Sequence, residues 1–108
     1  KGVAENPELA LYWSKKAADQ GNDEAQFNMG MRHLSGNQVG FDIDKAVAYF
    51  KASADQNNAK AQYTLGMLYE QGLGVEMNIS EARKFYKLAS AELPAAKDAY
   101  QRLSNQKK

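Results

Sequence analysis

The chain has no cysteine among its 108 residues. That excludes disulfide staples, thiolate metal sites and cysteine nucleophiles. It has one histidine, His33, so a paired-histidine metal site is excluded and a histidine-based triad has a single candidate. No apolar run approaches the roughly 20 residues of a membrane-spanning helix. Charge of one sign is not in surplus either: 14 Lys+Arg against 13 Asp+Glu leave a net +1. The electrostatic footprint of a nucleic-acid binder or a polybasic membrane anchor is missing, so neither nucleic acid nor membrane insertion is expected. Nothing after Lys1 has the apolar core of a secretory signal. With a signal lost upstream equally compatible, periplasmic or secreted and cytoplasmic placements both stay open.

What is present reads as one globular domain, with 44% hydrophobic and 25% charged residues. Self-similarity organises it. An offset of 36 residues aligns Ala25-Gln26-Phe27-Asn28-Met29-Gly30-Met31 with Ala61-Gln62-Tyr63-Thr64-Leu65-Gly66-Met67. Ala18-Asp19-Gln20 falls on Ala54-Asp55-Gln56, and Gly36, Val39 and Ile43 fall on Gly72, Val75 and Ile79. With Ala10/Ala46, Lys15/Lys51 and Asn22/Asn58, segments 10–45 and 46–81 share 13 identities without a gap. An offset of 72 places Gly2, Val3, Asn6 and Ala10 on Gly74, Val75, Asn78 and Ala82. The chain is therefore expected to start partway through a repeat and to be a piece of a longer array. The expected division is a partial repeat 1–21, repeats 22–57 and 58–93, and a C-terminal helix 94–108.

Capping signals split each repeat into two helices. Asn6-Pro7 opens a helix to about Gln20, with proline at its first position. Asn22 caps 23–35, which Gly36 stops, and Asp42 caps 43–56, which ends at Asn57-Asn58. Asn58 caps 59–71, Asn78 caps 79–91, and Pro94 opens a last helix to about Asn105. Six helices and no strand are predicted.

The residues Ala25-Gln26…Met29-Gly30…Gly36…Val39 and Ala61-Gln62…Leu65-Gly66…Tyr69…Gly72-Leu73-Gly74-Val75 resemble the unit of the Sel-one-like repeat family. Trp13-Ser14-Lys15-Lys16-Ala17-Ala18, Tyr49-Phe50-Lys51-Ala52-Ser53-Ala54 and Phe85-Tyr86-Lys87-Leu88-Ala89 look like its second helix. The resemblance covers roughly residues 2–91. It implies an all-α fold, a right-handed α/α superhelix (solenoid) of stacked antiparallel helix pairs related to tetratricopeptide arrays. It also implies a non-enzymatic scaffold that binds a protein or peptide on its concave face. Some cysteine-rich bacterial relatives are associated with weak β-lactam hydrolysis, an alternative weakened here by the missing cysteines. End-to-end self-association through exposed hairpin ends is a further possibility.

Packing physics accounts for the same pattern. Ala25, Met29 and His33 form a stripe at i, i+4, i+8. Gly30 and Gly66 lie beside it, where a missing side chain allows the paired helix to approach, and Ala46 and Ala82 serve the same contact. Trp13, Tyr49, Phe50, Phe85 and Tyr86 are expected to supply bulk between hairpins. Two residues depart from the family pattern. His33 stands where tyrosine is usual and reads as a packed substitute for it. Gln38 stands where the second loop glycine belongs. A left-handed Gln38 costs roughly 1 kcal/mol, so loop 36–41 is expected to follow another path than its counterpart.

Chemistry-bearing motifs are few. Gly72-Leu73-Gly74 follows no strand and precedes no Gly-Lys-Ser/Thr, so it reads as a hairpin turn, not a phosphate cradle. Asp23, Glu24, Asp42 and Asp44 read as caps and first-turn acids complementing helix dipoles, without calcium-loop spacing. Lys15-Lys16, Lys51 and Lys107-Lys108 read as solvated charge. Tyr49-Phe50-Lys51 recurs at the repeat period and reads as core, not as a nucleobase platform. No cofactor, metal or catalytic residue is expected.

A partner surface is the remaining candidate. Opposite the packed stripe of the first helix fall Glu24, Asn28, Met31, Arg32 and Ser35. One repeat later the row continues with Lys60, Thr64, Met67, Leu68 and Gln71. In the family the first helix of each hairpin lines the concave side, which makes these ten the expected partner-binding residues. Their mixture of soft apolar, amide, hydroxyl and charged groups suits peptide contact.

Overall fold

The computed structural model describes residues 7–105. Asn6, the expected cap of the first helix, and the Lys107-Lys108 tail lie outside them. Six helices follow one another: α1 (Pro7–Asp19), α2 (Asp23–Ser35), α3 (Ile43–Ala54), α4 (Ala59–Gln71), α5 (Ile79–Ala89) and α6 (Pro94–Asn105). No strand occurs among the described residues.

Four caps act as the sequence predicts. The side-chain oxygens of Asn22, Asp42, Asn58 and Asn78 accept from the backbone N–H of Ala25, Lys45, Ala61 and Glu81 at 2.9–3.1 Å. Each satisfies one of the orphan donors of a first turn. Helices α1, α3 and α5 stop one or two residues short of their predicted ends. After α3 the chain tightens into three-residue bonds, Gln56 N–H to Ser53 C=O and Asn57 N–H to Ala54 C=O. Asn57 then turns left-handed (φ 68°), and an α-helix cannot continue through that geometry.

Helices α2–α3 and α4–α5 form two antiparallel hairpins, with α1 packed on α2 ahead of them and α6 packed on α5 behind. The glycines set the distance within each hairpin. A Cβ on Gly30 would lie 2.6 Å from Phe50 Cε1, and one on Gly66 would lie 2.6 Å from Tyr86 Cε1. Phe50 and Tyr86 thus fill the hairpins from inside, rather than only the space between hairpins. Ala46 and Ala82 are fully buried beside them. Trp13 departs from its expected packing role and is 52% exposed. Its repeat equivalents Tyr49 and Phe85 each stack on a ring of the preceding helix, His33 and Tyr69. For α1 no such helix exists among the described residues.

The loop expectation is also overturned. Gly36 and Gln38 have φ of 74° and 70°, and Gly72 and Gly74 have 70° and 74°. The flanking bonds match as well: Asp42 N–H donates to His33 C=O as Asn78 N–H donates to Tyr69 C=O, both at 3.0 Å. Gln38 accepts the left-handed conformation, and its amide oxygen accepts a hydrogen bond from Arg32 that helps offset the cost. The stack measures 54 × 25 × 23 Å with a radius of gyration of 14.8 Å, against about 13 Å for a compact chain of this length. It is a short rod.

Candidate functional site

The two first helices, α2 and α4, lie side by side and are tied by residues from the predicted row. Lys60 Nζ donates to Glu24 Oε1 at 2.9 Å and stands 5.2 Å from the Phe27 ring centroid. Asn58, the cap of α4, donates to Asp23 Oδ2 (2.8 Å) and Glu24 Oε2 (3.3 Å). The first-turn acids of α2 therefore join the repeats as well as complement a dipole. The 36-residue offset held the signal for this, since Glu24 and Lys60 occupy the same repeat position with opposite charge.

The ten row residues do not share one surface. Glu24, Asn28, Met31, Ser35, Lys60 and Gln71 are exposed, and Arg32 and Met67 are half-buried. Thr64 and Leu68 are buried, at 7% and 4% exposure, and present no side chain to a partner. Leu68 belongs to the cluster of Phe50, Ala61 and Leu65 against which Phe27 and Leu34 of α2 pack. Thr64 returns its hydroxyl hydrogen to the Lys60 carbonyl at 2.8 Å. Met67 packs on the cluster of Tyr86 and Leu103. A helical wheel drawn for an isolated hairpin missed these covers, because neighbouring helices bury positions that the wheel points outward. Met31 stays 40% exposed.

His33 takes the place of Tyr69. It is buried, with its ring stacked on Tyr49 at 5.8 Å and 12°, as Tyr69 stacks on Phe85 at 5.8 Å and 13°. Its Nδ1 lies 3.4 Å from the Gly40 carbonyl oxygen, so the tautomer with a proton on Nδ1 donates there.

Helices α4, α5 and α6 meet at a charged cluster. Tyr86 donates to Glu70 Oε1 at 2.7 Å, and Arg102 donates to both Glu70 oxygens at 2.5 and 3.1 Å. The Arg102 hydrogen bond holds the Glu70 carboxyl below its usual range, against the opposing effect of partial burial. Burial first, and the bond to Glu70 second, push the Tyr86 phenol well above its usual value. The cluster fastens α6 to the second hairpin and holds the ring that lies on Gly66.

A cleft of about 560 Å³ opens on the other side of the molecule, between α1 and α3. Gln26, Met29 and His33 of α2 form its floor, Leu11 and Lys15 one wall, and Lys45, Ala48, Tyr49 and Ala52 the other. Sequence reading passed over it, because each lining residue taken alone looks like core or solvated charge.

Among the described residues no helix is long and apolar enough to cross a membrane, and no cluster of three or more metal-capable side chains occurs. The family model described as Sel1 repeat matches residues 1–22, 23–58 and 59–92. Two solved structures are similar. A Sel1 repeat protein from Oxalobacter formigenes is 30% identical with a TM-score of 0.87, over 91% of this chain and 74% of that one. The protein c5321, a protective antigen of uropathogenic Escherichia coli strains displaying an SLR fold, is 33% identical with a TM-score of 0.80. The match covers 83% of this chain and 20% of that one. Curated protein sequences gave no match.

Proposed function

Since the chain belongs to the Sel1 repeat family, we propose that it is a non-catalytic interaction scaffold that binds a protein or peptide on the face formed by α2 and α4. One observation carries the reading. Met31 is a large apolar side chain left 40% exposed amid the exposed hydrogen-bonding groups Asn28, Ser35, Lys60 and Gln71. An adaptable apolar anchor within a polar surround is the usual composition of a peptide-contact surface. Bridges between the helices, above all the bonds of buried Asn58 to Asp23 and Glu24, favour one geometry of the face before a partner arrives, which lowers the ordering cost of binding. Arg32 extends the face, while Thr64, Met67 and Leu68 support it from within.

Site-specific photo-crosslinking tests the reading. A benzoylphenylalanine placed at Met31 should give a discrete crosslinked product in lysate of the native host. The same group at exposed Lys87 on α5 should not, and Arg32→Glu should abolish the product at 31. Equal products from both positions, or one indifferent to Arg32→Glu, would move the surface elsewhere.

A further inference from the structure

One repeat after the α1–α3 cleft, the groove between α3 and α5 is lined by different residues, and the loop before α5 lies close on α3. In the later groove Gly74 presses on α3: a Cβ there would lie 2.5 Å from Ile43 Cγ1 and 2.9 Å from Val47 Cγ2. Gln38 holds the corresponding place with a similar φ and carries a side chain where Gly74 has none. Along the opposite wall, Ala48 and Ala52 stand where the later groove has Lys84 and Leu88. Over the same floor, Leu65, Val47, Val75 and Phe85 join one packed cluster. The rim changes as well. Lys84 and Glu81 pair at 3.8 Å along α5, on one wall of the later groove, whereas the earlier cleft has Lys45 at the Glu81 position. Among the described residues its charged lining groups are Lys45 in one wall and Lys15 in the other. Lys15 has an exposed partner in Asp19 at 3.5 Å; Lys45 has none among the described residues.

We propose that the α1–α3 cleft is a binding site for a small amphipathic carboxylate, its alkyl or aryl body on Met29, Leu11 and Tyr49 and its carboxylate between Lys15 and Lys45. The floor from Gln26 to His33 spans seven residues, about 10 Å at the helical rise. That equals only about three extended residues, too short to seat a peptide segment and long enough for a medium alkyl chain. The volume falls within the range of small-molecule sites, roughly 300–1,000 Å³. Two ammonium groups at the mouth of an apolar cleft select an anion with an apolar body. The site is independent of the face formed by α2 and α4.

Titration calorimetry with sodium decanoate, below its micellar concentration, tests the proposal on the full chain. One saturable site is expected, with the Met29 methyl resonance shifting in step with occupancy. Two variants copy what the fold already accepts one repeat later, Ala52→Leu after Leu88 and Lys45→Glu after Glu81. Each should keep the parent's circular dichroism and weaken decanoate at least tenfold, and neutral 1-decanol should bind at least tenfold more weakly than decanoate. Absence of saturable binding, or affinity within twofold of the parent in both variants, would overturn the site. Equal binding of decanol would overturn its selectivity for an anion. A blocked Asp-Leu-Asp peptide that binds more tightly than decanoate and is lost in the same variants would overturn the small-molecule class.

Discussion

Gly66→Ala is the sharpest test of how the hairpins are held together. The new methyl carbon would start 2.6 Å from Tyr86 Cε1 and 2.7 Å from Cδ1, about 1 Å inside the 3.5–4.0 Å of a relaxed carbon contact. The ring must retreat by that amount or α4 and α5 must part. Tyr86 is 1% exposed, and its hydroxyl is anchored to Glu70, itself clasped by Arg102. Overpacking of this kind costs about 1–3 kcal/mol, while alanine in a helix interior regains about 1 kcal/mol over glycine. The tether places the clash toward the upper end, so a net loss of about 1–2 kcal/mol is expected. That corresponds to a melting temperature lower by about 4–12 °C, readable by circular dichroism at 222 nm. Gly30→Ala meets Phe50 just as closely, at 2.6 Å, but Phe50 has no polar tether, so the smaller loss belongs there. In a Tyr86→Phe background the cost of Gly66→Ala should fall toward the Gly30→Ala value, a coupling that a double-mutant cycle isolates. Equal or greater stability of Gly66→Ala, or a larger loss for Gly30→Ala, would refute the close-approach account.

Two other perturbations follow from the polar clusters. Glu70 is lowered from its reference value of 4.5 by the Arg102 bond, so its stabilisation is full above that pH and fades as the pH falls through the depressed folded value. The stability gap between the parent and Glu70→Gln, measured by urea unfolding, should therefore be wide at pH 7 and narrow below pH 4.5; a gap that widens in acid would show the linkage to be reversed. Asn58 is buried and bonds Asp23 and Glu24 besides capping α4, whereas the exposed Asn78 only caps α5. Asn58→Ala should cost about 2 kcal/mol or more and Asn78→Ala about 1 kcal/mol, and equal midpoints in urea would contradict the inter-repeat role.

Helix type and order, the four described caps and the two close-approach glycines were legible in the sequence, because each depends on local chemistry or on the repeat period. His33 was legible too, since its place in the period identified the ring it replaces. Gln38 was misjudged: a cost of about 1 kcal/mol does not redirect a loop when the helix ends and caps on either side already fix where it must arrive. The exposure of the predicted row was legible only in part. Periodicity gives the direction of a side chain relative to its own helix; what lies in that direction depends on the next hairpin, and so Thr64, Met67 and Leu68 turned inward. The α1–α3 cleft was illegible residue by residue. It emerges only when Gln38, Lys45, Ala48 and Ala52 are set beside Gly74, Glu81, Lys84 and Leu88.

The junctions between successive units repeat one small device. Gln26 Nε2 donates to the Ala18 carbonyl at 3.3 Å, and 36 residues on, Gln62 Nε2 donates to the Ala54 carbonyl at 3.4 Å. Each amide reaches from a first helix to a carbonyl in the last turn of the preceding second helix, one that also accepts a backbone N–H, from Gly21 or from Asn57. Within a hairpin, by contrast, an aromatic ring lies on bare glycine with no slack. The molecule is therefore expected to be mechanically uneven: a ring on bare glycine holds each hairpin, while polar side-chain bonds, the glutamine arms among them, carry much of the join between units. Bending or stretching should concentrate at those joints, changing the curvature of the rod while each hairpin keeps its shape. A surface spread over α2 and α4 would feel every such bend, and a cleft between α1 and α3 would widen or narrow with it.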